Sequence, residues 1–433
     1  MIYQMVIINH LICLPKQLMD KIIIHGGKPL KGEVTLSGAK NAVLPIMAAS
    51  LLVGGTTHIS RVPDLRDTRT MIKLLELVGA KTHLKGNDLW IDSEHVDTPV
   101  APYDLVKTMR ASFYVLGPLL ARFGETKVSL PGGCAWGPRP IDFHLKGLEL
   151  LGAKVTLDEG YIHAKAKRLK GNHIRFDFPS VGATGNILMA AVTAHGTTVI
   201  ENAACEPEIV QLCQFLNLMG GKITGIGTHK ISVEGVKELS PSDVSVIPDR
   251  IEAGTFLIAG AALGEVTVLG GEPGHLKVLL EKLEQTGAKI KISGKKISVR
   301  KSDVILPVDV TTAVFPGYPT DLQAQWIALM TIAKGDSVVT DTVYHDRFSH
   351  VPELNRLGAE IQVSDNVACI KGRKDLVGAP VMSTDIRASA SLIVGGLMAE
   401  GKTEISRVYH IDRGYEKIEE KFSSLGADIT RLN

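Results

Sequence analysis

The chain has 433 residues, too many for one ordinary hydrophobic core, so two domains are expected. Hydrophobic residues make up 45% and charged residues 22%, the balance of a soluble globular protein able to build sizeable cores. A net charge of +2 with acids and bases interspersed argues against nucleic-acid binding, and five cysteines without CxxC spacing argue against a disulfide framework or a zinc site.

The N-terminal stretch MIYQMVIINHLICLPKQLMDK is apolar but broken by Gln4, Asn9 and His10. It lacks a basic n-region and a small-residue cleavage site, so no signal peptide is expected, and it is too short to span a bilayer. Residues 1–18 read as a dispensable leader, Met19 as the start of the folded part and the cytoplasm as the setting. Next, SGAKNAVLPIMAASLLVGG predicts an almost wholly apolar helix with Ser37 as its N-cap. The strand TTHISRV follows, then an amphipathic helix ending at Gly79, whose start carries Asp64, Arg66 and Asp67 as ordinary helix-start residues. The same sequence of elements returns with TMRASFYVLGPLLARFGE (cap Thr108), the strand TKVSL and Gly152, and again with SVGATGNILMAAVTAHGT (cap Ser180), TTVIENA and Gly220. Three more copies follow: DRIEAGTFLIAGAALGE (cap Asp249) to Gly287, TDLQAQWIALMTIAKGD (cap Thr320) to Gly358, and DIRASASLIVGGLMAEGK (cap Thr384) to Gly426.

The period is roughly 70 residues, that of a large repeated supersecondary unit. Each tag, such as ELLGAKVTL at Gly152, reads as an amphipathic helix with a C′ glycine followed by a half-buried strand. Helices apolar all round belong inside a domain, so three units are expected to close around their apolar helices and form one domain, twice over. The fold class is α/β (α+β), and the absence of a GxGxxG turn after any strand excludes a dinucleotide-binding double winding.

Chemistry collects at the starts of the apolar helices, where free N–H groups and the helix dipole favour anions. Lys40 and Asn41, Arg110, Arg250, Asp321 and Arg387 occupy such starts, and mere repetition would not demand a different charged group in each copy. Arg413, beside Asp412, is placed at the start of the last amphipathic helix. In LPGGCAWGPRP, Gly132 and Gly133 permit close backbone approach while Pro131, Pro138 and Pro140 stiffen the flanks of Cys134. A loop thiol near cations is more readily ionised than the ordinary pKa of about 8.5 implies. Cys205, Cys213 and Cys369 read as filler. Together these residues describe a cationic cleft with one thiol and at least one carboxylate, suited to a small, multiply charged anion. Opposing cations are expected to repel across it until a ligand closes it. No metal-ligand spacing or P-loop is present, and no metal or cofactor is expected.

The words LSGAKNAVLP, APYDLVKTMRAS, LPGGCAWGPRPIDFH, YPTDLQAQ, DIRASAS and HIDRGYEKIEEK resemble the enolpyruvyl transferases from about Met19 to the C-terminus. The resemblance implies two inside-out barrels of three βαβ-type units each, with the active site between them. One domain would be 41–248, the other 19–40 plus 249–433. It implies transfer of the enolpyruvyl group of phosphoenolpyruvate to the 3-hydroxyl of UDP-N-acetylglucosamine, with phosphate release, the first committed step of peptidoglycan synthesis. Cys134 would be the proton donor, the residue that adds covalently to phosphoenolpyruvate and the target of fosfomycin. Lys40, Arg139 and Arg413, with Arg387 and Arg110 nearby, would clamp phosphoenolpyruvate, and Asn41 would position the reacting groups. Asp321 would sit beside the attacking hydroxyl as general base. Arg110, Arg139, Pro140, Ile141, Asp142, Phe143, Ser180, Val181, Gly182, Asp321 and Val343 would hold the sugar nucleotide. Two residues depart from the family pattern: Trp136 replaces a small aliphatic residue, and Phe178 replaces a nucleotide-contacting lysine of some members. The shikimate-pathway transferase shares the fold but lacks this GGC loop. A non-catalytic sugar-nucleotide-binding relative would not need the full set Lys40, Cys134, Arg139, Asp321 and Arg413.

Overall fold

The computed structural model describes residues 20–130, 141–373 and 375–432. The proposed leader and the Cys134 loop with Trp136, Arg139 and Pro140 lie outside the described residues.

The repeat expected from sequence appears as six four-stranded sheets with one pattern: a parallel pair, then two antiparallel partners. In the first, Thr56–Ser60 lies between Val244–Ser245, which it pairs in parallel, and Asp88–Asp92, which it pairs antiparallel; Lys81–Lys85 forms the outer edge. Two sheets made mainly of C-terminal strands borrow from the N-terminus. Leu30–Thr35 pairs in parallel with Gly264–Leu269, and Lys21–His25 sits antiparallel between Lys402–Ser406 and Asp428–Leu432. Val244–Ser245, at the end of the first half, closes back on the first sheet, and the chain passes twice between its halves, after Leu30–Thr35 and after Val244–Ser245.

Six helices begin or continue the apolar runs: Lys40–Ala49, Leu116–Phe123, Val181–Ala191, Arg250–Leu263, Gln323–Met330 and Ile386–Met398. They are buried around nearly their whole circumference, as helices without a polar face must be. They pack on one another, Leu116–Phe123 against Val181–Ala191 and Gln323–Met330 against Ile386–Met398, with the sheets outside them. One apolar core collects residues between Ala39 and Val246; a second collects Ile22–Leu36 with Ile251–Ile429. No closed barrel is formed among the described residues.

The amphipathic helices end as their glycines demand. Gly79, Gly152, Gly220, Gly287, Gly358 and Gly426 all have φ between 88° and 107°. The Ala80 and Gly79 amides return to the Leu75 and Glu76 carbonyls at 2.9 and 3.0 Å, which satisfies the last turn of the Arg66–Leu77 helix.

The two passages between the halves bind each other. The Ala39 amide donates to the Ile247 carbonyl at 2.8 Å and the Asp249 amide to the Ser37 carbonyl at 3.0 Å. Gly38 at this crossing is obligatory, since a Cβ there would stand 1.9 Å from the Arg61 carbonyl oxygen. Asp249 caps Arg250–Leu263 by accepting from the Ile251 and Glu252 amides, and its other oxygen accepts from the Lys40 amide at 3.2 Å. One carboxylate therefore fixes the starts of two core helices, one in each half.

Ser180 and Asp249 are N-caps, as expected. The other four starts differ by one or two residues: Ala39 caps in place of Ser37 and Asp385 in place of Thr384, while the Leu116–Phe123 and Gln323–Met330 helices are entered through 3-10 turns, Arg110–Val115 capped by Met109 in place of Thr108 and Thr320–Leu322 capped by Pro319 in place of Thr320. Ser37 is drawn into another network, its amide bonded to Glu252 and its hydroxyl to Glu416. Asp385 outcompetes its neighbour with a carboxylate that accepts from the Arg387 and Ala388 amides. Cys205 and Cys213 are buried and Cys369 is exposed. No helix among the described residues is long and apolar enough to cross a membrane.

Candidate active site

A cavity of about 770 Å³ opens between residues of the two halves, within the range of small-molecule sites. Asn41, Arg110, Ile141, Phe143, Ser180, Val181, Gly182, Asp321 and Val343, each expected at the site, line it, as does Phe178. Asp142 is exposed and lies outside the lining. Lys40, Arg387 and Arg413 do not line it.

On one side, Ser180 caps the Val181–Ala191 helix through the Ala183 amide, which leaves that helix start turned to the cavity. His144 packs so closely on Gly182 that a Cβ there would lie 3.1 Å from its Nε2. Asn186 fixes the ring by a 2.9 Å contact to Nδ1, and burial, with the charge of Arg110 adding, pushes the His144 pKa down to about 3. The imidazole is therefore neutral at physiological pH. On the opposite side, the buried Asp341 gathers the Thr312 and Thr320 hydroxyls and the Val343 and Tyr344 amides, which ties the Val343 segment to the helix start that carries Asp321.

Asp321 is held from both sides. Arg347 reaches one oxygen at 2.7 Å and Arg387 the other at 3.0 Å. Burial alone would raise its pKa, but the two guanidinium charges and their hydrogen bonds outweigh this and hold it well below the ordinary aspartate range. With both oxygens engaged, this carboxylate is a weak proton acceptor until Arg387 or Arg347 is drawn elsewhere.

A second cluster joins the halves. Asp67, 3% exposed, accepts from Arg413 Nε at 2.8 Å and Nη2 at 3.4 Å, and lies 3.6 Å from the Lys40 ammonium. Burial lowers the Lys40 pKa; Asp67 opposes that shift, while Arg387 and Arg413 reinforce it. These shared interactions gather Lys40, Arg387, Arg413 and Asp321 into one electrostatic group.

Three expectations are corrected. Arg413 closes the Val408–Arg413 turn instead of opening the last helix, which begins at Ile418. Asp67 is an ion-pair centre and not an ordinary helix-start residue. The cations do not confront one another unopposed, because Asp67 stands between Lys40 and Arg413 and Asp321 between Arg347 and Arg387, each offsetting part of the charge. Arg347, unmarked by sequence reasoning, is drawn to the site by Asp321. Its only local signal is a charged residue a few positions after Val343. The described residues contain no group of three or more His, Cys, Asp or Glu able to hold a metal ion.

The site thus carries helix-start cations of two kinds, the half-buried Arg110 and Arg250 on the cavity and the buried Lys40 and Arg387 outside its lining. Residues 24–422 match the family described as EPSP synthase (3-phosphoshikimate 1-carboxyvinyltransferase). The chain belongs to this family of enolpyruvyl transferases. Among its relatives, the UDP-N-acetylglucosamine 1-carboxyvinyltransferase of Desulfosudis oleivorans is 55% identical over 415 residues, 96% of this chain and 100% of its own. The one from Chlorobium chlorochromatii is 54% identical over 95% of this chain and 99% of its own. Among solved structures, the enolpyruvyl transferase NikO from Streptomyces tendae matches with a TM-score of 0.86 at 26% identity, over 96% of this chain and 99% of that one. An EPSP synthase from Acinetobacter baumannii reaches 0.74 at 20% identity over 96% of this chain and 100% of that one, a likeness of fold alone. In this enolpyruvyl transferase, the charged helix starts and their acid partners are the chemically distinctive part of a repeated scaffold.

Proposed function

We infer that the chain is a UDP-N-acetylglucosamine 1-carboxyvinyltransferase, which moves the enolpyruvyl group of phosphoenolpyruvate to the 3-hydroxyl of the sugar nucleotide. Near-full-length identity of 55% to a relative of that name carries the reading. The product enters peptidoglycan and cell-wall synthesis, and the setting is cytoplasmic.

The reaction is an addition and an elimination. The sugar oxygen bonds to C2 of phosphoenolpyruvate as a proton joins the methylene carbon, giving a tetrahedral ketal. Loss of a proton from the new methyl group then expels phosphate and restores the double bond. Cys134 supplies the proton to carbon and adds to phosphoenolpyruvate in a covalent adduct. Lys40, Arg139, Arg387 and Arg413 hold the phosphate and carboxylate, where cations in a closed site offset the charge of the ketal. Asn41 positions the reacting groups. Asp321 takes the hydroxyl proton once the substrate's anionic groups compete for Arg387 and free one of its oxygens. Arg110, the 139–143 segment, the Ser180–Val181–Gly182 helix start and Val343 hold the sugar nucleotide, with its diphosphate near the exposed amides. The two apolar cores are read as two domains, 41–248 and 19–40 with 249–433, so the helix starts of both meet at the chemistry.

A phosphate-release assay tests this. Turnover is expected with phosphoenolpyruvate and UDP-N-acetylglucosamine together, with loss on fosfomycin treatment. Shikimate 3-phosphate in place of the sugar nucleotide should give none, and the opposite preference would overturn the assignment. Cys134→Ala should abolish turnover while UDP-N-acetylglucosamine still binds.

A further inference from the structure

We propose that Glu206 is a specificity residue of the cavity, its carboxylate accepting a hydrogen bond from a neutral O–H or N–H donor on the hexosamine of the sugar nucleotide. This deepens the sugar-nucleotide reading above and rests on it. Glu206 is the N-cap of the Pro207–Leu218 helix, is 9% exposed and lines the cavity. Its Oε2 makes no hydrogen bond among the described residues. The carboxylate is steadied by its own backbone amide and by that of Phe315, from the other half of the chain. Burying a charged oxygen without a hydrogen-bond donor is costly, and a native site seldom retains one without use.

The neighbouring charges are already matched. Glu208 accepts from Arg250 Nε at 3.0 Å and Nη2 at 3.4 Å, and Asp321 takes Arg347 and Arg387. Burial raises the Glu206 pKa, with Arg250 opposing and Glu208 reinforcing the shift, so its environment does not fully compensate the charge. An anionic group would be repelled here, which excludes the diphosphate and phosphoenolpyruvate as occupants. Neutral hydroxyls and amides remain. Arg250 lies within electrostatic reach of both Glu206 and Asp321, so Glu206 shares the region of the cavity that holds Asp321.

Titration calorimetry with UDP-N-acetylglucosamine and with UDP, on the wild type, Glu206→Ala and Glu206→Gln, tests the assignment. Removing the acceptor should weaken UDP-N-acetylglucosamine at least about tenfold, the worth of a hydrogen bond to a charged group. UDP affinity should change less than about twofold, because UDP carries no hexosamine to bind there. Glu206→Gln, which preserves shape and a neutral acceptor, should fall between wild type and Glu206→Ala for the sugar nucleotide and leave UDP unchanged. If either variant bound UDP-N-acetylglucosamine as the wild type does, or lost UDP in parallel, the role would be refuted. Wild-type protein that bound UDP but not UDP-N-acetylglucosamine would refute instead the reading on which it rests.

Discussion

Asp67 and Asp321 each bind two cations, but they draw them from different places. Asp321 takes Arg347 and Arg387, both from the C-terminal half, and a quarter of its side chain remains open toward the cavity. Asp67 takes Lys40 from the start of the Lys40–Ala49 helix and Arg413 from 346 residues away, and only 5% of its side chain is exposed. The first arrangement can be undone by a ligand that competes for its arginines. The second is a fastening between halves that sets where two cations stand. A carboxylate near an anion site can thus be part of the chemistry or part of the frame, and reach from the cavity separates the two.

The largest expected effect follows from breaking the open pair. Asp321→Ala should lower kcat by at least about a hundredfold, the usual span for a general base, while the KM values change little. It also leaves Arg347 and Arg387 facing each other without an acid, which should cost on the order of 3 kcal/mol in a denaturation curve. If KM rose instead and kcat held, Asp321 would belong with the positioning groups. Its depressed pKa adds a sign. The stabilisation is present above the unfolded aspartate value of about 3.9 and is lost as pH falls through the lower folded value. Asp321→Ala should therefore lose its stability difference from wild type in melts at strongly acid pH and keep it between about pH 5 and 8.

Breaking the closed pair should have a smaller and differently shaped effect. Asp67→Asn keeps the volume but removes the charge that holds Arg413 and Lys40. The KM for phosphoenolpyruvate should rise about tenfold, as when one charge-assisted contact is lost, with UDP-N-acetylglucosamine binding unchanged. An equal loss for both substrates in steady-state kinetics would show that Asp67 supports the whole cleft and not the cation pair.

The repeats were legible because two of their signals are local. A helix apolar all round has nowhere to go but inside, and a glycine after an amphipathic run has one conformational use. The charged helix starts were legible for a similar reason, since Arg110, Arg250 and Arg387 each interrupt the approach to an apolar run. Asp67 was not, because RVPDLRDTRT reads as any helix start and its partner Arg413 lies in another repeat. Glu206 and Arg347 were hidden in the same way, their significance set by Phe315 and Asp321 across the fold. The closing strand of the first sheet was equally invisible: Val244–Ser245 is two residues long, and its partner Thr56–Ser60 is nearly the length of the first half away. The caps missed by one or two positions show the limit within a single turn, where Ser37 could cap its helix but is claimed by Glu252 and Glu416.

The smallest effect separates Lys40 from the guanidinium groups around it. Burial and the charges of Arg387 and Arg413 favour its neutral amine, and Asp67 only partly restores the ammonium. For a lysine with a folded pKa below the ordinary 10.5, the ammonium is lost as pH rises through that lower value. Affinity for phosphoenolpyruvate should accordingly begin to weaken on the alkaline side before an ordinary lysine would titrate, because the anion needs the charged form. An arginine in its place stays protonated throughout that range. Lys40→Arg should thus flatten the alkaline limb of phosphoenolpyruvate binding measured by titration, even where the longer side chain lowers turnover at neutral pH. Asp67→Asn removes the stronger of the two acids, Asp67 and Asp321, that oppose the shift, and should move the limb further toward neutrality. If the limb stayed in place in both variants, the titrating group would lie elsewhere, and Asp67 would be fastening Arg413 alone.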